Sequence, residues 1–137
     1  MNRTDEPPPS PAPRASSEGT SRTRALGAFG EAYAARHLVA GGMVLLDRNW
    51  RCELGEIDLV LRDGDTLVFC EVKTRSSASY GTPLESVTVR KAARLRRLAA
   101  RWLAEHQLRP REVRLDLVGV LVPRNGSPSL EHAPGVG

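Results

Sequence analysis

The chain has 137 residues and a formal net charge of +4, and its basic residues are 18 Arg but only 2 Lys. This length fits one domain. No apolar stretch approaches the roughly 18 residues that a membrane-spanning helix needs. Two cysteines without a Cys-x-x-Cys motif do not make a disulfide framework. We therefore expect a cytoplasmic protein in which Cys52 and Cys70 are reduced thiols.

The two ends of the chain differ in composition from its middle. Five of the first 13 residues are Pro, and Ser, Thr, Arg and Glu fill much of the remainder of residues 1–23. Such a segment cannot bury enough apolar surface to offset the entropy lost on ordering. Residues 123–137 contain three Pro and three Gly. We predict a disordered tail at residues 1–23, one domain at residues 24–122 and a flexible tail at residues 123–137.

A helix is predicted first. Thr23 can cap its start, and Gly41-Gly42 ends it after about Ala40. Within it, Gly27, Gly30 and Ala34 form a stripe of small residues that a neighbouring element can approach closely.

Strand and helix patterns follow in the order strand, strand, strand, helix, strand. The strands are predicted at residues 43–46, 56–61, 66–74 and 113–122, and the second helix from Ser86 or Thr88 to about His106. An Asp63-Gly64 step between the second and third strands is a strong hairpin signal, so at least one strand pair is antiparallel. The element order α-β-β-β-α-β thus predicts an α/β fold, with a mixed sheet flanked by helices.

The hairpin brings two acidic residues together. With Asp63-Gly64 as a two-residue turn, Asp58 lies opposite Phe69, and Glu71 is its diagonal neighbour about 7–8 Å away on the same face. Lys73 follows on that face, because strand side chains repeat every two residues. Two carboxylates this close repel each other unless a cation lies between them. Mg²⁺ accepts one or two carboxylates and keeps several waters.

These residues therefore predict a Mg²⁺ (or Mn²⁺) site at Asp58 and Glu71. Lys73 would orient or deprotonate the water that attacks a phosphate. A structural interpretation remains open, in which Glu71 pairs with Lys73 and Asp58 with Arg75 at the end of the sheet. Glu56 shares the same face, and we interpret it as a supporting residue rather than a direct ligand.

The second helix carries a cationic strip. Its six basic residues give a charge of +6 within 12 residues, so the charges of the rest of the chain sum to −2. The six are Arg90, Lys91, Arg94, Arg96, Arg97 and Arg101. No acid lies between Arg90 and Ala104, whereas a solvated helix face usually mixes both signs. The strip therefore favours a polyanionic partner over an ordinary solvated face. The candidate phosphate contacts are Arg75, Arg90, Lys91, Arg94, Arg97 and Arg101.

These motifs together resemble a known family. The set consists of Gly30-Glu31, Asn49-Trp50-Arg51, Gly55-Glu56-Ile57-Asp58-Leu59, Phe69-Cys70-Glu71-Val72-Lys73-Thr74-Arg75, Lys91 and Leu115-Asp116-Leu117-Val118. Between Leu26 and Val122 the chain resembles the YraN-like family of the PD-(D/E)XK nuclease superfamily, which is similar to archaeal Holliday junction resolvases. The Pro-Asp of the superfamily is Ile57-Asp58 here. Asp116 matches a family position, and we expect it to pair with an Arg or to cap polar groups at the sheet.

The resemblance implies a restriction-endonuclease-like fold and a Mg²⁺-dependent endonuclease that acts on branched or structured DNA, as a homodimer. It implies that Asp58, Glu71 and the Val72 carbonyl bind the metal. Lys73 would be the catalytic lysine, and Glu31 the helix-borne acid that completes the site. The alternative is a module that keeps the nuclease fold and binds nucleic acid or a partner without turnover.

Overall fold

The computed structural model describes residues 11–76 and 89–136, and in residues 11–21 the backbone alone. The elements in chain order are α1 (Pro11–Ala40), β1 (Val44–Cys52), β2 (Gly55–Asp63), β3 (Thr66–Arg75), α2 (Val89–His106), β4 (Glu112–Leu121) and β5 (Ser129–Ala133). They form a five-stranded sheet of order β1-β2-β3-β4-β5, in which β3 and β4 are parallel and the other neighbours are antiparallel. The predicted mixed α/β architecture, consistent with a restriction-endonuclease-like fold, is confirmed.

The two helices cover opposite faces of the sheet. On β3, Val68 and Cys70 belong to the core beneath α1, while Leu67 and Phe69 belong to the core beneath α2. Trp102 of α2 packs edge-on against Phe69, with ring centroids 5.6 Å apart. The central strand is therefore apolar on both faces, as a strand covered on both sides must be.

Several boundaries differ from the sequence prediction. The first helix begins at Pro11 rather than after Thr23, and β1 continues to Cys52 instead of ending at residue 46. The polar residues of β1 mask its strand pattern, and its pairing with β2 supplies the backbone hydrogen bonds. Residues Ser129–Ala133, predicted as part of a flexible tail, form a strand on the edge of β4. The predicted start of the second helix, at Ser86 or Thr88, lies outside the described residues.

The β2–β3 hairpin forms, but its predicted register was wrong. Asp63 pairs with Thr66, so the turn residues are Gly64 and Asp65, and Gly64 adopts a φ of 66°. Phe69 consequently lies opposite Val60 and not opposite Asp58. Each residue is displaced by two positions along the facing strand, and a displacement of two leaves every side chain on its original face.

No helix within the described ranges is long and apolar enough to cross a membrane. Cys52 and Cys70 are free thiols, as predicted.

Helix α1 approaches the sheet closely at Gly30. A Cβ atom built on Gly30 would meet the Thr74 side chain of β3, with Thr74 Cβ and Cγ2 each 2.9 Å away and Oγ1 closer still. Contacts this short do not occur for real Cβ atoms, so helix and strand approach this closely only because residue 30 lacks a side chain. The predicted small-residue stripe is confirmed at this point, and the next residue, Glu31, is thereby held near the sheet.

We expect Gly30→Ala to destabilise the protein by about 1–3 kcal/mol, because the added methyl group must push α1 away from β3. Gly27→Ala is the matched control in the same helix. A Cβ atom at Gly27 meets nothing within 4 Å, and Ala has the better helix propensity, so this variant should gain up to about 1 kcal/mol. Urea unfolding of both variants gives the two values. Equal effects of the two substitutions would contradict the proposed close approach.

Candidate functional site

Asp58 lies where β2 and β3 separate. The ladder between these strands ends at the Leu59–Cys70 pair, and beyond it Asp58 Oδ2 accepts a hydrogen bond of 2.7 Å from the Val72 N–H. Ile57 belongs to the core under α2 and Leu59 to the core under α1, although residues two apart on a regular strand share a face. The alternation is therefore interrupted at Asp58, which places its carboxylate against the backbone of β3.

Three carboxylates converge around this point. Oxygen atoms of Glu31 from α1 and of Glu56 and Asp58 from β2 all lie within 4.8 Å of one another. We call these three residues the acidic cluster. Glu56, which the sequence analysis interpreted as a supporting residue, is a full member of the cluster. Glu71, which it paired with Asp58, does not join this group.

Burial and the charges of acidic neighbours raise the pKa of two members of the acidic cluster, Asp58 and Glu31. Burial is the largest cause of the raised pKa of Asp58, about 7, and the charges of Glu31, Glu56 and Glu71 raise it further against the opposing Val72 hydrogen bond. Burial also raises the pKa of Glu31, followed by the charge of Glu56. A bound cation would favour the ionised forms, so full ionisation and cation binding support each other.

Glu71 and Lys73 occupy the opposite face of β3 from the helix that carries Glu31. Val72 packs into the core under α1 and Thr74 meets α1 at Gly30, so by alternation their odd-numbered neighbours face the other way. The charge of Glu71 nevertheless reaches Asp58 and raises its pKa. An extended residue directs its N–H and C=O to the same neighbouring strand, so the Val72 carbonyl lies on the Asp58 side of β3.

The two ion pairs that illustrated the structural alternative do not form. Among the described residues, neither the Glu71–Lys73 pair nor the Asp58–Arg75 pair comes within 4.0 Å. Lys73 is half-buried beside Gly119 of β4, and no carboxylate of the described residues neutralises it. Arg75 is also half-buried, and its Nε has no hydrogen-bond partner within the part of the chain that the structure describes.

The cationic strip lies along α2, whose opposite face is buried through Leu95, Leu98, Ala99 and Trp102. Four of its six basic residues are exposed, namely Arg90, Arg94, Arg96 and Arg97. The other two, Lys91 and Arg101, are half-buried. Arg101 donates to Glu53 at 2.7 Å, so this predicted phosphate contact is already partly neutralised. Arg94 and Arg97, which are exposed and have no carboxylate within 4.0 Å among the described residues, are the better candidates for binding an anionic chain.

Asn49 is a site residue that the sequence analysis did not select. Its side-chain amide lies against Glu31 and Glu56, and its backbone φ is 50° in the middle of β1. Positive φ is uncommon outside Gly, and Asn is among the residues that tolerate it best. The sequence signal for this position was its place in the motif Asn49-Trp50-Arg51, one of the motifs that resemble the family, and no role followed from it.

Fold and geometry together describe a mixed α/β protein in which an acidic cluster lies beside a strand that carries Lys73, a lysine without a carboxylate partner among the described residues. The family model described as "Uncharacterised protein family UPF0102" matches residues 30–120. A UPF0102 protein of Nocardioides sp. is 62% identical over 122 residues, which cover 89% of this chain and 98% of the relative.

Two further relatives agree with this assignment. A UPF0102 protein of Frankia alni is 62% identical over 111 residues, covering 81% of this chain and 92% of its own. One from Streptomyces coelicolor is 56% identical over 114 residues, which cover 82% of this chain and 88% of the relative. The chain belongs to the UPF0102 family, the YraN-like family that its motifs resemble, and the matched segment contains the whole acidic cluster together with Glu71 and Lys73.

Proposed function

We propose that this protein is a metal-dependent endonuclease that hydrolyses phosphodiester bonds in branched or structured DNA. The observation that carries the proposal is the convergence of Glu31, Glu56 and Asp58 within 4.8 Å. Carboxylate oxygens are the ligands that Mg²⁺ and Mn²⁺ prefer. Burial and acidic neighbours raise the pKa of Asp58 and Glu31, and a divalent cation among the three carboxylates would offset this repulsion.

The residues around the cluster have distinct proposed roles. When bound, the cation would polarise a phosphoryl oxygen and make a coordinated water more acidic. The acidic cluster would hold the cation, with the Val72 carbonyl as a further oxygen ligand from β3. Glu71, on the other face of β3, would add negative charge near Asp58. Lys73 would stabilise negative charge at the phosphate or orient the attacking water.

The cationic strip would hold the DNA backbone on either side of the reacting phosphate. Arg94 and Arg97 are exposed, and neither has a carboxylate within 4.0 Å among the described residues. Guanidinium groups bind phosphate through paired hydrogen bonds. Contacts of this kind position a duplex without reading its sequence, which suits an enzyme that recognises the shape of a DNA junction.

A second candidate function, that of a DNA-binding module without catalysis, has one specific observation in its favour. Glu71 and Lys73 lie across β3 from α1, which carries Glu31, and a non-catalytic DNA-binding module does not need these groups on one side. The exposed arginines of α2 serve such a module as well as they serve an enzyme.

Lys73→Ala tests the choice between the two functions. We expect this variant to lose cleavage by about 10²–10⁴-fold, the usual contribution of a group that acts on a proton in the transition state, while it still binds DNA. The assay compares linear, flapped and four-way DNA with Mg²⁺, with Mn²⁺ and with chelator, and a mobility shift measures binding in parallel.

Lys73→Arg is the matched control, since it keeps the charge but not the compact ammonium. It should bind DNA as the wild-type protein does and remain strongly impaired in cleavage. Binding without cleavage of any substrate by the wild-type protein would overturn the enzyme in favour of the binding module.

A further inference from the structure

Asn49 has a backbone conformation that its position in the sheet does not explain. It lies within β1, between the pairs Arg48–Leu59 and Trp50–Ile57, and therefore directly across from Asp58. Its φ of 50° is left-handed, which costs a non-Gly residue roughly 1–2 kcal/mol. Gly would adopt this conformation without that cost, so the side chain of Asn49 must contribute something that Gly cannot.

The side-chain amide of Asn49 joins two of the three clustered acids. In the amide orientation that satisfies hydrogen bonding, its nitrogen lies 2.8 Å from Glu31 Oε1 and 3.2 Å from Glu56 Oε2. The reverse orientation would place the amide oxygen against two acceptors. An amide NH₂ carries two hydrogens and so can donate to both carboxylates at once. Asn49 thereby links an acid on α1 to an acid on β2.

The neutrality of this donor matters for its role. A Lys or Arg at the same place would neutralise the carboxylates and compete with a divalent cation for them. An amide fixes one oxygen of each carboxylate without adding positive charge. The second oxygen of Glu56 lies 3.7 Å from the exposed guanidinium of Arg51. Partners of this kind around metal ligands typically contribute 10–100-fold to metal affinity.

We propose that Asn49 is a positioning residue that holds Glu31 and Glu56 in the orientation in which they, with Asp58, bind a divalent cation. The left-handed backbone at Asn49 aims the amide at the two carboxylates. This inference rests on the proposed function, because it assumes that the acidic cluster is the metal site.

Metal binding and stability, measured separately, test the proposal. Free Mn²⁺ is titrated into the metal-free protein and followed by electron paramagnetic resonance at pH 8. Asn49→Gly removes the amide and the backbone strain together. We expect it to bind Mn²⁺ 10–100-fold more weakly than the wild-type protein while its unfolding midpoint stays the same or rises. A purely structural role predicts the reverse, a lower midpoint with unchanged affinity.

Gln107→Gly is the matched control, since Gln107 is the other non-Gly residue with positive φ among the described residues, at 55° after α2. It should relieve strain in the same way and leave Mn²⁺ affinity unchanged. Equal affinity of the wild-type and Asn49→Gly proteins would overturn the inference and leave the proposed function intact. Absence of Mn²⁺ binding by the wild-type protein would instead overturn the metal site itself, and this inference with it.

Discussion

Asp58→Asn should make the metal-free protein more stable at pH 8 and at the same time abolish metal-dependent cleavage. The folded-state pKa of Asp58 is about 7, against 3.8 for an ordinary Asp, chiefly because the group is buried and then because acidic neighbours surround it. Ionising this group therefore costs the folded state more than the unfolded state. The amide of Asn is neutral and can still accept the hydrogen bond from Val72, so the variant avoids this cost.

The pH dependence of the effect follows from the sign of the shift. Because the folded-state pKa is raised, wild-type stability is fully present below pH 3.8 and falls as the pH rises through 7. At about 1.4 kcal/mol per pKa unit, and allowing for solvent screening of a group that is not fully buried, we expect Asp58→Asn to gain about 2–4 kcal/mol at pH 8. The gain should shrink toward zero near pH 4. Urea unfolding at several pH values measures it.

Added metal should make the wild-type protein more stable than Asp58→Asn, the reverse of their order without metal. A ligand that binds only the folded state stabilises it, by about 2.7 kcal/mol at a concentration 100 times its Kd. MnCl₂ should thus raise the unfolding midpoint of the wild-type protein at pH 8 and leave that of Asp58→Asn unchanged. Asp65→Asn, at a carboxylate 81% exposed in the hairpin turn, is the matched control. It should change neither the stability at pH 8 nor the response of the unfolding midpoint to MnCl₂. An Asp58→Asn variant less stable than wild type at pH 8 would refute the electrostatic interpretation.

Much of the fold could be predicted because local signals and burial agreed. Apolar residues run through β2 and β3 on both faces, and the basic helix keeps its apolar residues on one side, so element type and order follow from periodicity alone. The hairpin register did not follow, because Asp63-Gly64-Asp65 offers two adjacent two-residue turns around the same glycine. Local turn chemistry does not choose between them.

The C-terminal strand escaped prediction for a different reason. The five residues of β5 have little intrinsic strand preference and lie within a Pro- and Gly-rich tail, and tertiary contacts hold the strand in place. Tyr33 donates a hydrogen bond of 3.2 Å to the Pro128 carbonyl just before the strand, and His132 within it contacts the buried Asp116. Neither contact has a signal in the sequence of the tail itself.

Glu31 and Asp58 were predicted as members of one site, and the structure brings their carboxylates together with that of Glu56. Asp58 and Glu71 were placed together by regular alternation, which assumes an unbroken pleat. The left-handed residue at Asn49 and the interrupted alternation at Asp58 break that assumption and bring in Glu56 in place of Glu71. Departures from regular geometry concentrate at functional sites, so arithmetic on an ideal strand is least reliable where the chemistry is expected.

Asp116 is the residue whose loss should destabilise the fold most. It is fully buried, and each of its carboxylate oxygens accepts two hydrogen bonds. Arg114 donates to both oxygens at 2.9 and 3.0 Å, His132 Nε2 lies 2.7 Å from Oδ2, and the Gly135 N–H lies 3.1 Å from Oδ1. The expected pairing of Asp116 with an Arg is confirmed, and the same carboxylate also ties β5 and the residues after it to β4.

We expect Asp116→Asn to destabilise the protein by about 3–5 kcal/mol, the usual consequence of removing one partner from a buried ion pair. The amide nitrogen must face a donor whichever way it turns, because Arg114 donates to the positions of both oxygens. Hydrogen exchange should show lost protection in β5, and urea unfolding gives the free energy. Glu112→Gln, the same carboxylate-to-amide change at an exposed position of β4, should cost less than about 0.5 kcal/mol.

The difference in unfolding free energy between the wild-type protein and Asp116→Asn should also depend on pH. Burial opposes the ionisation of Asp116, but the hydrogen bonds from Arg114, His132 and Gly135 outweigh it and hold the pKa below its usual value of 3.8. A lowered folded-state pKa gives stability that is present above pH 3.8 and is lost as the pH falls through the folded value. The gap in unfolding free energy should therefore be constant at neutral pH and narrow in acid. A gap that stays constant into strong acid would show that Asp116 contributes through shape and not through its charge.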